Sequence, residues 1–76
     1  MENNIKSNLK SKKQDIYNFM QDHKNTCGIK DEEELKLLFF YAVKKVFKNT
    51  DVKMSESDLA FIDKETIKNI IGFEYE

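Results

Sequence analysis

One stretch limits what this chain can fold into: Asp31 to Asn49, DEEELKLLFFYAVKKVFKN, the longest apolar-periodic run, with four of the nine aromatics. Leu35, Leu38, Phe39, Ala42, Val43 and Val46 recur at helical spacing and form one dense stripe. Phe40 and Phe47 widen that stripe on one flank. Asp31 supplies a start signal, with Glu34 at the third position to complete a capping box. The acids Asp31 to Glu34 stand where a helix dipole favours negative charge, and Lys44, Lys45 and Lys48 where it favours positive charge. Asn49 is suited to a left-handed stop. The run therefore predicts a central helix over about 31–49.

Around that helix the chain reads as all-α, a small bundle of three to four helices. It holds no Pro and only two Gly, strand alternation is weak, and no repeat of about 20–50 residues is visible. Ile5, Leu9, Ile16, Phe19 and Met20 share a helical stripe, interrupted by Lys12. Two starts fit this segment. One is a long helix from near Asn4 to Lys24, the reading favoured here. In the other, Ser11 caps a shorter helix through a box closed by Gln14, and residues 1–10 form a loose basic arm. Gly28 suits the stop, since glycine takes positive φ without steric cost. Further on, Ser55 to Asp58 starts a short helix carrying Leu59 and Ile62. Asp63 starts a last one with Ile67, Ile70 and Ile71 inward, Gly72 as its stop, Phe73 folding back towards Ile67, and 74–76 as a tail.

Seventy-six residues suit one domain with a modest core. The single cysteine excludes an internal disulfide and fits a reducing, cytoplasmic setting. The first residues lack the apolar region of a secretory signal, and no apolar run approaches the roughly 18 residues of a membrane span. Charge is unevenly spread: residues 1–30 carry +3, 31–54 carry 0 and 55–76 carry −4. Every basic residue is Lys. Without the planar fork of Arg, reading guanine edges and clamping phosphates are both disfavoured.

The sharpest functional signal is again in the central run. Leu37 and Tyr41, one turn apart, fall opposite the dense stripe among Lys44 and Lys48. Either the N-terminal segment covers them, or they form an aromatic–aliphatic docking face anchored by Leu37, Phe40 and Tyr41 and rimmed by Lys44 and Lys48. Lys6, Lys10 and Lys13 would share one side of a long first helix, facing solvent or touching phosphates or an acidic surface. No aromatics interleave with them, so a base-stacking platform is not indicated.

Asp58-Leu-Ala60 followed by Thr66-Ile67 and Ile70 resembles the two halves of a phage-repressor helix-turn-helix. The resemblance implies DNA reading by the second half. Ala60 and Thr66 are only six apart, however, and a local charge of −4 opposes docking on DNA. His23 and Cys27 stand one turn apart, but a zinc site needs three or four ligands and the chain holds no second His or Cys. They read instead as a core-edge histidine and a small packing residue. One His, one Cys and no Gly-rich phosphate loop leave little for catalysis, so neither an enzyme nor a cofactor is expected. The expectation is a small cytoplasmic adaptor or inhibitor that docks another protein through a helical face, with a homodimer as one form. A phage or mobile-element origin is suggested by small size and Lys/Asn bias. The alternative is a nucleic-acid-associated regulator using Lys6, Lys10 and Lys13 or the helix-turn-helix-like stretch at 55–72.

Overall fold

A computed structural model describes residues 3–60 and 62–74 of the chain. It is all-α: α1 spans Asn3–Ser11, α2 Lys13–Cys27, α3 Glu32–Val46, α4 Glu56–Leu59 and α5 Lys64–Ile71. No strand occurs among the described residues. The radius of gyration, 11.5 Å, is close to the roughly 11 Å that a folded chain of this length should have.

The long first helix is in fact two, and this raises the helix count above the three to four expected. Lys12, at φ −118° and ψ 20°, leaves helical geometry between α1 and α2. Its amide reaches back only three residues, to the Leu9 carbonyl at 3.2 Å. The Ser11 hydroxyl donates to the Asn8 carbonyl at 2.7 Å rather than capping α2. Such back-bonding by serine bends helices, and it leaves the Ser11–Gln14 box unmade. The break lets α1 turn towards α5 while α2 packs against both α3 and α5. Leu9, Ile16 and Met20 are fully buried on either side of it. α2 then runs to Cys27, one turn past the expected end, where Gly28 at φ 78° and ψ 170° takes a conformation essentially restricted to glycine.

The entrance to α3 follows the sequence signals with one shift. Asp31 accepts the Glu34 amide at 3.0 Å, but the Glu34 carboxylate accepts from the Lys30 amide at 2.7 Å, one residue before the expected partner. The exit comes earlier than Asn49. The helix ends at Val46, and among the described residues none other than glycine has positive φ. The Phe47 carbonyl takes both the amide and the hydroxyl of Thr50, at 3.2 and 3.0 Å, and the same hydroxyl accepts from the Val52 amide at 3.2 Å. Threonine thus supplies the stop expected of Asn49. Phe47, one turn past Val43, is buried in the core.

Ser55 and Asp58 form the complete reciprocal box, although α4 holds a single turn. Ile62 lies beyond that turn and is buried none the less. α5 starts on Asp63 and ends on Gly72, left-handed at φ 82°. Ile67, Ile70 and Ile71 face inward with Leu35, Leu38, Phe39, Ala42 and Val43 of α3. No polar or charged residue is buried among those described, so core stability rests on apolar burial. Phe73 is also buried, with its ring edge-on to Tyr17 of α2 at 5.8 Å. Of the tail at 74–76, positions 75 and 76 lie outside the described residues.

Two helix N-termini meet in this arrangement. The Glu32 carboxylate, in the first turn of α3, accepts from the first amide of α5, that of Lys64, at 3.3 Å. Adjacent N-termini bring like ends of two dipoles together, and the acids Asp31, Glu32 and Asp63 offset this repulsion. Asp63 accepts the Thr66 amide at 2.9 Å and the Thr66 hydroxyl at 2.8 Å. These bonds hold its carboxyl below the usual 3.8, the amide contributing most. A lowered pKa stabilises the fold wherever the unfolded carboxylate would be ionised, and that contribution is lost as pH falls through the folded value. Asp63→Ala should therefore lower the melting temperature by a constant amount from neutrality down to about pH 5. Below that the gap to wild type should narrow. A thermal scan series across pH checks this, and a gap that widens in acid would refute it.

Candidate functional site

The face of α3 turned away from the core is built by the helical period itself. Leu35, Leu38, Phe39, Ala42 and Val43 turn inward, which forces Leu37 and Tyr41 to the opposite side. They are 60% and 54% exposed, the large hydrophobics left open to solvent among the described residues. Phe40, between them, is half-buried and packs against the core.

The N-terminal segment reaches this face without covering it. Phe19, half-buried on α2, meets the Tyr41 ring edge-on at 5.7 Å between centroids. That contact orients the ring and leaves more than half of the residue in solvent. Two lysines lie on aromatic faces in the same region. The Lys44 ammonium stands 5.3 Å from the Phe40 centroid, and the Lys45 ammonium 5.7 Å from the Tyr41 centroid. Both fall within the range of cation–π attraction, worth about 0.5–1 kcal/mol when exposed.

Two hollows flank α3. Beside Leu37, a largely apolar hollow of about 170 Å³ is walled by Phe39, Phe40, Leu59 and Ile62, with Glu33 and Lys36 at its edge. Beyond Phe40, a larger one of about 500 Å³ lies between Val43, Phe47, Val52 and Met54, and Lys44, Lys48 and Lys53 line it as well. Of the two lysines expected to rim the docking face, Lys44 lines the larger hollow and stands over Phe40. Lys48, past the end of the helix, lines the second hollow. The structure adds Phe19, Lys45 and Glu33 to the face, none of which the sequence singled out for binding. Lys45 and Glu33 had a visible signal, since each stands four residues from an exposed apolar position. Phe19 had none, because its meeting with Tyr41 is a contact between helices.

The other candidates lie apart. Lys6 and Lys10 stand one turn apart on α1, and Lys13 opens α2 beyond the break at Lys12. All three are exposed, but the continuous helix meant to align them is interrupted. His23 and Cys27 are also exposed, against the expectation of packing roles. They continue the Ile16–Met20 row, but the last turn of α2 is left open to solvent. Among the described residues, no three His, Cys, Asp or Glu side chains are grouped to hold a metal ion. Where a helix-turn-helix would need a first helix lying across the DNA backbone, α4 supplies one turn. No helix of the described residues is long and apolar enough to cross a membrane.

No protein-family model matches this chain, and no curated protein or solved structure shows significant similarity to it.

Proposed function

We propose that this chain is a protein-binding module of the adaptor or inhibitor kind, acting in the cytoplasm without catalysing a reaction. In this reading α3 is the central helix, α1, α2 and the α4–α5 pair close around its inner side, and its outer side docks a partner. One observation carries the proposal: Leu37 and Tyr41 stay open to solvent on a helix whose other large apolar residues are wholly or mostly buried. Their position in the middle of α3, with charged residues on both ends, matches the apolar centre and polar rim of a recognition patch. Phe19 and Lys45 hold the Tyr41 ring in place before any partner arrives, which reduces the ordering cost of binding. The nucleic-acid alternative has less support, since the break at Lys12 separates Lys13 from Lys6 and Lys10, and no aromatic lies among them.

The test is a paired affinity purification from the cell of origin. Leu37→Glu combined with Tyr41→Ala should leave the circular dichroism spectrum unchanged and abolish capture of the partner that wild type retains. Lys10→Glu with Lys13→Glu should keep it. Equal capture by wild type and the Leu37/Tyr41 variant would sink the proposal. Loss confined to the lysine variant, together with salt-sensitive retention on nucleic acid, would support the alternative instead.

A further inference from the structure

The exposed row along α3 has an order that fits one occupant. Reading at four-residue steps it runs Glu33, Leu37, Tyr41, Lys45: an acid, two apolar residues and a base, all exposed. Glu34 and Lys44 repeat the acid and base beside it. Reversed and laid against itself, such a row is self-complementary. Leu37 meets Tyr41 of the second copy, and Glu33 meets Lys45 of the second copy, each contact occurring twice about a two-fold axis near position 39. That is the isologous geometry of the commonest oligomers, in which one patch pairs with itself.

We infer that the docking face of α3 binds a second copy of this chain, helix against helix in antiparallel register. The inference rests on the docking reading above and names its occupant. Three features favour this occupant. A parallel pairing would set Glu33 against Glu33 and Lys45 against Lys45, so the charges select the antiparallel register. Glu33 forms no ion pair among the described residues, so its carboxylate is available. A hollow walled by Phe39, Phe40, Leu59 and Ile62 opens beside Leu37, the residue that Tyr41 of the second copy would meet in this register. A net charge of −1 adds little general repulsion between copies.

The inference is tested on the full chain by sedimentation equilibrium over a wide concentration range. Wild type should pass from 9.0 kDa towards twice that mass as concentration rises. Glu33→Lys alone and Lys45→Glu alone should each weaken the dimer on the order of tenfold, because two exposed pairs turn from attraction to repulsion. Mixing these two variants should restore association, since every contact across the mixed pair is again between opposite charges. The chain carrying both reversals should dimerise like wild type, and all these differences should shrink in high salt. A mass of 9.0 kDa at every concentration overturns the self-pairing but not the docking reading, which fails only if the Leu37/Tyr41 variant captures what wild type captures. A dimer indifferent to both reversals overturns the antiparallel register.

Discussion

Replacing Phe73 with alanine should lower the free energy of unfolding by about 3–5 kcal/mol, a large loss for a side chain outside any helix, just past the stop at Gly72. Phe73 is 1% exposed, and its ring meets that of Tyr17 in a T-shaped contact. The Lys24 ammonium stands 5.7 Å from its centroid and donates to the Glu74 carbonyl at 3.1 Å. A chain of 76 residues should have a total stability of about 4–11 kcal/mol, so the loss removes from about a quarter to all of it. Urea denaturation followed by circular dichroism measures the change. Phe73→Leu should lose much less, because it fills most of the site. If Phe73→Ala lost under about 1 kcal/mol, the segment after Gly72 would not be docked against α2. The exposed Lys68–Glu74 pair, 3.2 Å apart, cannot substitute for that docking, since such pairs contribute about 0–1 kcal/mol.

Two neighbouring leucines on α3 should behave in opposite ways. Leu38→Ala should destabilise by about 2–5 kcal/mol, as truncation of a core leucine leaves a cavity that relaxes only in part. Leu37→Ala should stay within about 0.5 kcal/mol of wild type, since it removes little that folding buries. The residues are 6% and 60% exposed. The contrast is measured in the same denaturation experiment, at a concentration low enough to keep the chain monomeric. Comparable losses at both positions would mean that Leu37 is covered within the monomer, and the docking face would disappear with its premise.

Most of the helical content was legible because local chemistry sets it. Asp31, Ser55 and Asp63 each accept a backbone amide at a helix start, and Gly28 and Gly72 each sit at a stop with positive φ. These roles depend on residues within about four positions of one another, a range that sequence displays directly. The exceptions involve choices between competing local bonds. Ser11 had a box to close with Gln14 and used its hydroxyl on Asn8 instead. Asn49 was suited to a stop, and Thr50 ended the helix first by holding the Phe47 carbonyl. In each case the sequence contained both partners, and the fold selected between them.

The candidate site divides along the same line. That Leu37 and Tyr41 lie opposite Phe39 and Val46 follows from 3.6 residues per turn, and the sequence alone determines it. Whether that opposite side meets solvent or another helix is a question of how many neighbours surround α3, which no periodicity encodes. The tertiary structure decided it: α2 and α5 cover α3's inner side, α1 turns away at Lys12 to lie on α5, and Phe19 touches Tyr41 only at its edge. His23 and Cys27 are exposed for the same reason, since a helix stripe shows which residues align but not how far along them the core extends. The sequence determined the elements and their faces, because these arise from bonds and turns a few residues long. Only tertiary packing decided which faces are covered, because burial depends on side chains that meet from distant parts of the chain.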